Sequence, residues 1–161
     1  MRSHYQSKDE IDAVFRGFES CATPAADFTH CAHLTVAVCY LSGATTPEAL
    51  KRMRTSLFRF LDHHKVDKAK YHETLTVFWL KLVRRQMDSL AANCSVLEAT
   101  NAVIDSLGNS QVVLDYYSEK LLWSDEARRV WIEPDLKPLM HEQLSEKEDR
   151  HTIHEPTRNK Q

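Results

Sequence analysis

The chain is poor in glycine and contains no Asn-Gly or Asp-Gly pair, the two-residue signals that most often join the strands of a β-hairpin. Only three glycines occur among its 161 residues. Helix-capping patterns are frequent instead, as in the capping boxes Ser7–Glu10 and Ser95–Glu98 and in Thr46-Pro47-Glu48. We therefore predict an all-α fold: a compact single-domain helical bundle of about five main helices, followed by short C-terminal helical pieces.

Neither sign of charge dominates the sequence, and long apolar runs are missing. The formal net charge is −2 at pH 7, so no global basic field favours nucleic acid or an anionic membrane. No apolar run reaches the roughly 18 residues that a membrane-spanning helix needs. The polar N-terminal stretch lacks the apolar segment of a signal peptide. We expect a cytoplasmic protein with no nucleic-acid partner and no membrane partner.

The cysteines show no pattern typical of a disulfide framework or of a metal site. None of the four belongs to a CxxC pair, and their spacing does not match that of metal ligands. We expect reduced thiols that pack as small hydrophobic side chains. The four residues are Cys21, Cys31, Cys39 and Cys94.

Apolar residues at helical spacing predict the main helices and the extent of the domain. Pro134 and Pro138 end the regular structure, and the chain beyond them is polar and charged. We predict a helical domain over residues 1–140 and a disordered tail over 141–161. The predicted helices run from Ser7 to near Cys21, from Thr29 to Leu41, from Thr46 to about His64, from Lys68 to Leu90, and from Ser95 to Gly108.

Histidines share the apolar faces of two predicted helices. Because each residue advances by about 100° around a helix, His72 falls on the same face as Thr76 and Trp79, while Glu73 lies at the flank of that face. In the second helix, a face begins with two histidines and continues through smaller and aromatic residues. That face consists of His30, His33, Leu34, Ala37, Tyr40 and Leu41.

The connections between helices predict that these histidines meet. Short links favour antiparallel neighbours, so the N-termini of the second and fourth helices should lie at the same end of the bundle. The fifth helix should deliver Tyr116 and Tyr117 to that end. We therefore expect a histidine-lined pocket there that takes a small molecule.

The first hypothesis for this pocket is a metal-dependent enzyme. His30, His33 and His72 would be nitrogen ligands to iron or zinc, with an open position for water or substrate. Glu73 would act as a carboxylate ligand or as a base. The pattern contains no HExxH sequence, so the metal is inferred from the placement of the side chains alone.

The second hypothesis is a metal-free pocket in which neutral histidines act as hydrogen-bond donors or bases. His72 would be the catalytic group with Glu73 as its partner, and Tyr116 or Tyr117 would donate a proton. Thr76, Trp79, Ala37 and Tyr40 would form the substrate-binding wall. A third hypothesis is a non-catalytic binding or protein-interaction module whose histidines are satisfied by neighbouring groups.

Four sequence blocks together resemble a set of small uncharacterised bacterial proteins. The blocks are FTHxxHL (Phe28 to Leu34), YHETxTxxW (Tyr71 to Trp79), YYS (Tyr116 to Ser118) and PDLxPL (Pro134 to Leu139). Those proteins often have a glutamate three residues after the threonine of the first block, where this chain has Ala32. The resemblance implies a shared site built from these blocks and does not imply a particular reaction.

Overall fold

The structure, a computed structural model, describes residues 4–139. Five long helices and two short ones account for most of this part of the chain, which contains no β-strand. The predicted all-α class and the five main helices are therefore confirmed. The helices are α1 (Lys8–Glu19), α2 (His30–Leu41), α3 (Thr46–His63), α4 (Glu73–Asp88), α5 (Val96–Leu107), α6 (Glu119–Leu122) and α7 (Asp125–Arg129).

The capping residues of the sequence define most helix starts. In α5, the hydroxyl of Ser95 accepts from the backbone N–H of Glu98, and the Glu98 carboxylate accepts from the N–H of Ser95 at 2.8 Å. The same reciprocal pair begins α3, but its N-cap is Thr45 rather than the predicted Thr46. Thr45 stands three positions before Glu48, which is the spacing that a capping box requires.

Helix α4 begins at Glu73, not near Lys68 as predicted. Residues Lys68–Lys70 form a separate 3-10 turn, and extended backbone at Tyr71 and His72 separates this turn from the helix. His72 is the N-cap of α4, with φ −135° and ψ 105°. His72, which the sequence places inside this helix, therefore lies just before its first residue.

Helix α2 occupies the centre of the bundle, in contact with α1, α3, α4 and α5. Its sequence is apolar on all sides after the first turn, as expected for a helix that is surrounded. Val36 and Val38 are both fully buried although they do not lie on the same face. The core continues through Phe78 and Val83 of α4 to Val103 of α5.

Residues 130–139 contain no regular secondary structure and are attached to α4 and to the segment after α5. The hydroxyl of Thr74 donates to the carbonyl of Val130 at 2.7 Å and accepts from the N–H of Ile132 at 3.2 Å. The hydroxyl of Tyr117 donates to the carbonyl of Ile132 at 2.6 Å. The tail predicted for 141–161 lies outside the described residues.

Across residues 4–139, none of the helices combines the length and the apolar character that crossing a membrane requires.

Candidate functional site

A cavity of about 520 Å³ opens at the end of the bundle where the N-termini of α2 and α4 meet. His30, His33 and His72 all line it, in the juxtaposition that the helix connectivity predicts. The other walls come from α3, from the 3-10 turn Ser110–Asp115 and from α6. The apolar and aromatic lining includes Leu34, Ala37, Met53, Leu57, Leu61, Tyr71, Leu75, Trp79, Leu80, Val113, Leu114 and Trp123.

His72 uses both of its ring nitrogens within the fold. Nδ1 accepts a hydrogen bond from the backbone N–H of Leu75 at 3.2 Å, which caps α4. Nε2 lies 2.8 Å from the carbonyl oxygen of Leu122, which can only accept, so Nε2 carries the proton. Burial lowers the pKa of the His72 ring and keeps it neutral. His72 is therefore a capping and bridging residue, not the free ligand or base that we predicted from the sequence.

His33 keeps one nitrogen available. Its Nδ1–H donates to the carbonyl of Thr29 at 2.9 Å, which leaves the lone pair on Nε2. Burial lowers the pKa of His33 to about 4, against the opposing effect of the Thr29 hydrogen bond. The ring is crowded by Phe28, at 4.0 Å between ring centroids, yet it stays partly accessible because it borders the cavity. His33 is therefore a neutral hydrogen-bond acceptor at pH 7.

His30 is held in the opposite tautomer. Its Nε2 lies 2.9 Å from the carbonyl oxygen of Leu107 at the end of α5, so the proton of the neutral ring is on Nε2 and the lone pair is on Nδ1. The ring also contacts Trp79 edge to face, at 4.5 Å between centroids. These two contacts fix the ring between α5 and α4.

The predicted three-histidine metal centre is not formed. Within residues 4–139, no group of three or more histidine, cysteine, aspartate or glutamate side chains is arranged to hold a metal ion. His72 in particular has no free lone pair, because Nδ1 accepts from Leu75 and Nε2 is protonated toward Leu122. The donor set of His30, His33 and His72 therefore does not fit iron or zinc.

Glu73 faces away from the histidines. Its carboxylate forms a two-point contact with the guanidinium of Arg54, in which Arg54 Nε lies 3.0 Å from Oε2, and it accepts from the hydroxyl of Tyr71 at 2.5 Å. Burial raises the pKa of the Glu73 carboxyl, but the hydrogen bonds from Arg54 and Tyr71 outweigh it and lower the pKa overall. Glu73 is thus an ionised link between α3 and α4, and the predicted pairing with His72 is wrong.

Three predicted site tyrosines lie outside the cavity lining. The hydroxyl of Tyr117 donates a hydrogen bond to the carbonyl of Ile132, and the buried ring of Tyr116 packs against Phe78. Tyr40 points toward α1 and α3, where its hydroxyl bonds to Glu19 and lies 2.8 Å from Ser56 Oγ. The predicted proton donors and one predicted substrate contact therefore have structural roles.

Thr76, Trp79 and Ala37 do line the cavity, as predicted. The hydroxyl of Thr76 donates to the carbonyl of His72 at 2.9 Å, which leaves its methyl group as the apolar part of the side chain. The sequence did not lead us to Trp123, which lines the cavity with 52% of its surface exposed and contacts His72 edge to face. The Tyr71 ring is a second missed wall residue.

Comparison with models of protein families found no match, and neither a curated protein nor a solved structure matches the chain.

Proposed function

We propose that this protein binds a small, mainly apolar molecule in the histidine-lined cavity. The cavity itself is the observation that carries the proposal, because its volume of about 520 Å³ and its apolar and aromatic lining match those of small-molecule sites. Two blocks of the resemblance, Phe28–Leu34 and Tyr71–Trp79, supply cavity residues, which supports a binding site shared with those bacterial proteins.

The state of the histidines favours binding over acid–base catalysis. An efficient general base at pH 7 has a pKa near 7, whereas burial lowers the pKa of His33 to about 4. The two ring nitrogens of His72 are both engaged by backbone groups. The carboxylate of Glu73 and the hydroxyl of Tyr117 are held elsewhere by Arg54 and Ile132. These four side chains therefore do not supply a matched acid and base for a proton-transfer step.

The expected affinity for a simple probe is modest. Small ligands bind with between about 0.3 and 1.5 kcal/mol per non-hydrogen atom. At about 0.5–0.75 kcal/mol for each of its nine non-hydrogen atoms, propylbenzene should bind in the range of roughly ten micromolar to one millimolar. NMR titration is suited to this range, because it detects weak binding and reports which residues are affected.

The test is an NMR titration of the whole chain with propylbenzene. We expect saturable shifts at cavity residues such as Ala37, Thr76 and Leu114, and binding at least about tenfold weaker in Leu57→Trp, whose indole would fill the cavity. The matched control is Leu90→Trp, a partly buried leucine outside the cavity lining, which should leave the affinity unchanged.

A folded wild-type protein that shows no saturable binding would overturn the proposal, and so would equal affinity in Leu57→Trp and wild type. Circular dichroism of each variant establishes that it is folded before titration. If Leu57→Trp does not fold, Leu75→Trp fills the same cavity from α4.

A further inference from the structure

The two free imidazole nitrogens identify a chemical class of ligand for the proposed binding site. Backbone carbonyls hold the two rings in opposite tautomers. The carbonyl of Leu107 accepts a hydrogen bond from Nε2–H of His30, and the carbonyl of Thr29 accepts one from Nδ1–H of His33. The neutral form of each ring therefore retains one lone pair, on Nδ1 of His30 and on Nε2 of His33. No hydrogen bond joins either nitrogen to another group within residues 4–139.

The other polar groups in the inner lining are already used. Thr76 donates its hydroxyl proton to the carbonyl of His72, and Tyr71 donates its own to the carboxylate of Glu73. His72 is satisfied at both nitrogens. The side chains of Ser110 and Gln111, which also line the cavity, are exposed to solvent. In the inner lining the imidazoles therefore offer two acceptor nitrogens, and a ligand that brings a donor can bond to one of them.

No charged side chain of the inner cavity wall is placed to hold a carboxylate ligand. Lys70 is the cation among the lining residues, and it lies exposed at the rim, as does Glu119 with the opposite charge. No cation lines the inner wall to replace the water that a buried carboxylate would lose. The lone pairs of His30 and His33 would in addition repel a carboxylate oxygen, which can only accept.

We propose that the cavity selects apolar aromatic ligands that carry a neutral O–H or N–H group, as in a phenol, and that the lone pair of His30 Nδ1 or of His33 Nε2 accepts that hydrogen. This inference rests on the proposed binding function and specifies its ligand. His30 and His33 are then the specificity-determining residues of the site, and the apolar lining supplies the affinity that every ligand of the right size shares.

A series of three ligands of nearly the same shape tests this selection on the wild-type protein. The series is 4-propylphenol, 4-propylanisole and 4-propylbenzoate, titrated at pH 7.5 in buffer with EDTA so that no metal mediates the contact. The anisole retains the oxygen of the phenol but lacks its proton. A gained hydrogen bond predicts about five- to tenfold tighter binding of the phenol than of the anisole, and the benzoate should bind most weakly.

Three single variants test which groups accept the proton. His33→Phe and His30→Phe keep an aromatic ring and remove the lone pair, so the ratio of anisole to phenol dissociation constants should fall toward one in at least one of them. His63→Phe is the matched control, because His63 is exposed and lies outside the cavity lining, and there the ratio should stay at its wild-type value.

The outcomes separate this inference from the proposed function. Equal affinity for phenol and anisole in wild type, or tightest binding of the benzoate, overturns the donor selection while apolar binding stands. An unchanged ratio in both cavity variants overturns the role of the histidines. Failure of all three ligands and of propylbenzene to bind overturns the binding function itself. The wild-type ratio decides the first question even if a variant does not fold.

Discussion

At the scale of single residues, His72 joins elements that are distant in the sequence. Its Nδ1 caps α4 through Leu75, and its Nε2–H reaches the carbonyl of Leu122 at the end of α6, fifty positions along the chain. Histidine is an uncommon N-cap, since serine, threonine, aspartate and asparagine are preferred there. The ring also reaches a second backbone group that a shorter capping side chain cannot reach.

Replacing His72 should therefore cost more than the loss of a helix cap. His72→Ala removes the cap, worth about 1 kcal/mol, and leaves the Leu122 carbonyl without its donor, worth about 1 kcal/mol more. We expect a loss of about 2 kcal/mol in the free energy of unfolding, measured by urea denaturation. His72→Asn should recover roughly half of this loss, because asparagine restores the cap alone.

The control for this comparison is His63→Ala, at an exposed position on the last turn of α3, which should change the stability by less than about 0.5 kcal/mol. If His72→Asn were no more stable than His72→Ala, the capping role assigned to Nδ1 would be wrong.

At the scale of the elements, an ion pair joins α3 to α4, and only its member on α4 is buried. Glu73 is buried, with 8% of the whole residue exposed, whereas the side chain of Arg54 is 41% exposed. The hydroxyl of Tyr71 adds a third hydrogen bond to the same carboxylate. Because the arginine is half in water, the pair stabilises the fold chiefly by satisfying a carboxylate that would otherwise be buried without a partner.

Arg54→Met should therefore destabilise the protein by about 1.5–3 kcal/mol in urea denaturation, since the Glu73 charge loses its main partner. The additional change Glu73→Gln should restore part of the loss by removing that charge. Arg52→Met is the control and should be nearly neutral, because Arg52 is an exposed arginine two residues earlier in α3 and has no ion pair in residues 4–139. Equal losses in the two arginine variants would contradict the assigned role of the pair.

The elements also show what the sequence could and could not predict. Caps and apolar spacing are local signals, so the five helices and most of their ends followed from them. The start of α4 did not, because its N-cap is a histidine and because the 3-10 turn before it carries helix-compatible residues. The early start misdirects only His72, because Glu73 is helical in both cases. The link from Glu73 to Arg54 is a contact between two helices, which residue spacing within α4 does not predict.

The candidate site was predicted in part for the same reason. Helix connectivity brought His30, His33 and His72 to one end because it needs only the order and direction of the helices. Helix connectivity could not predict which ring nitrogens are free. The partners of all three rings include backbone carbonyls, such as that of Leu107, and no sequence pattern identifies these partners. Tyr116 and Tyr117 were misplaced because the segment after α5 lacks a helical period.

At the scale of the whole molecule, the stability should depend on pH through the buried histidines. The pKa values of His33, at about 4, and of His72 lie below the value of about 6.5 for an unfolded histidine. At pH values between the native and the unfolded pKa of each histidine, the unfolded chain binds a proton that the native chain does not. The contribution of each ring is therefore fully present above pH 6.5 and is lost as the pH falls, by at most about 1.4 kcal/mol per pH unit and per histidine.

Urea denaturation at pH 7.5 and at pH 5.5 measures this loss in a range above the titration of the carboxylates. Wild type should be less stable at pH 5.5, and His33→Phe should show a smaller difference between the two pH values. His63→Phe should behave as wild type does, because its ring is exposed. Equal stability of the wild-type protein at both pH values would show that the two buried rings titrate normally.

The order in which the cavity walls occur along the chain has a consequence for protein synthesis. Its lining begins with His30 in α2 and ends with Trp123 after α6, so residues from five separate parts of the chain must be present together. A nascent chain that has left the ribosome only as far as α5 possesses the histidines, but not the wall formed by Ser110–Leu114 and Trp123. A ligand in the cell would therefore be captured only by chains whose translation has passed Trp123, and it could not serve as a template for the earlier helices.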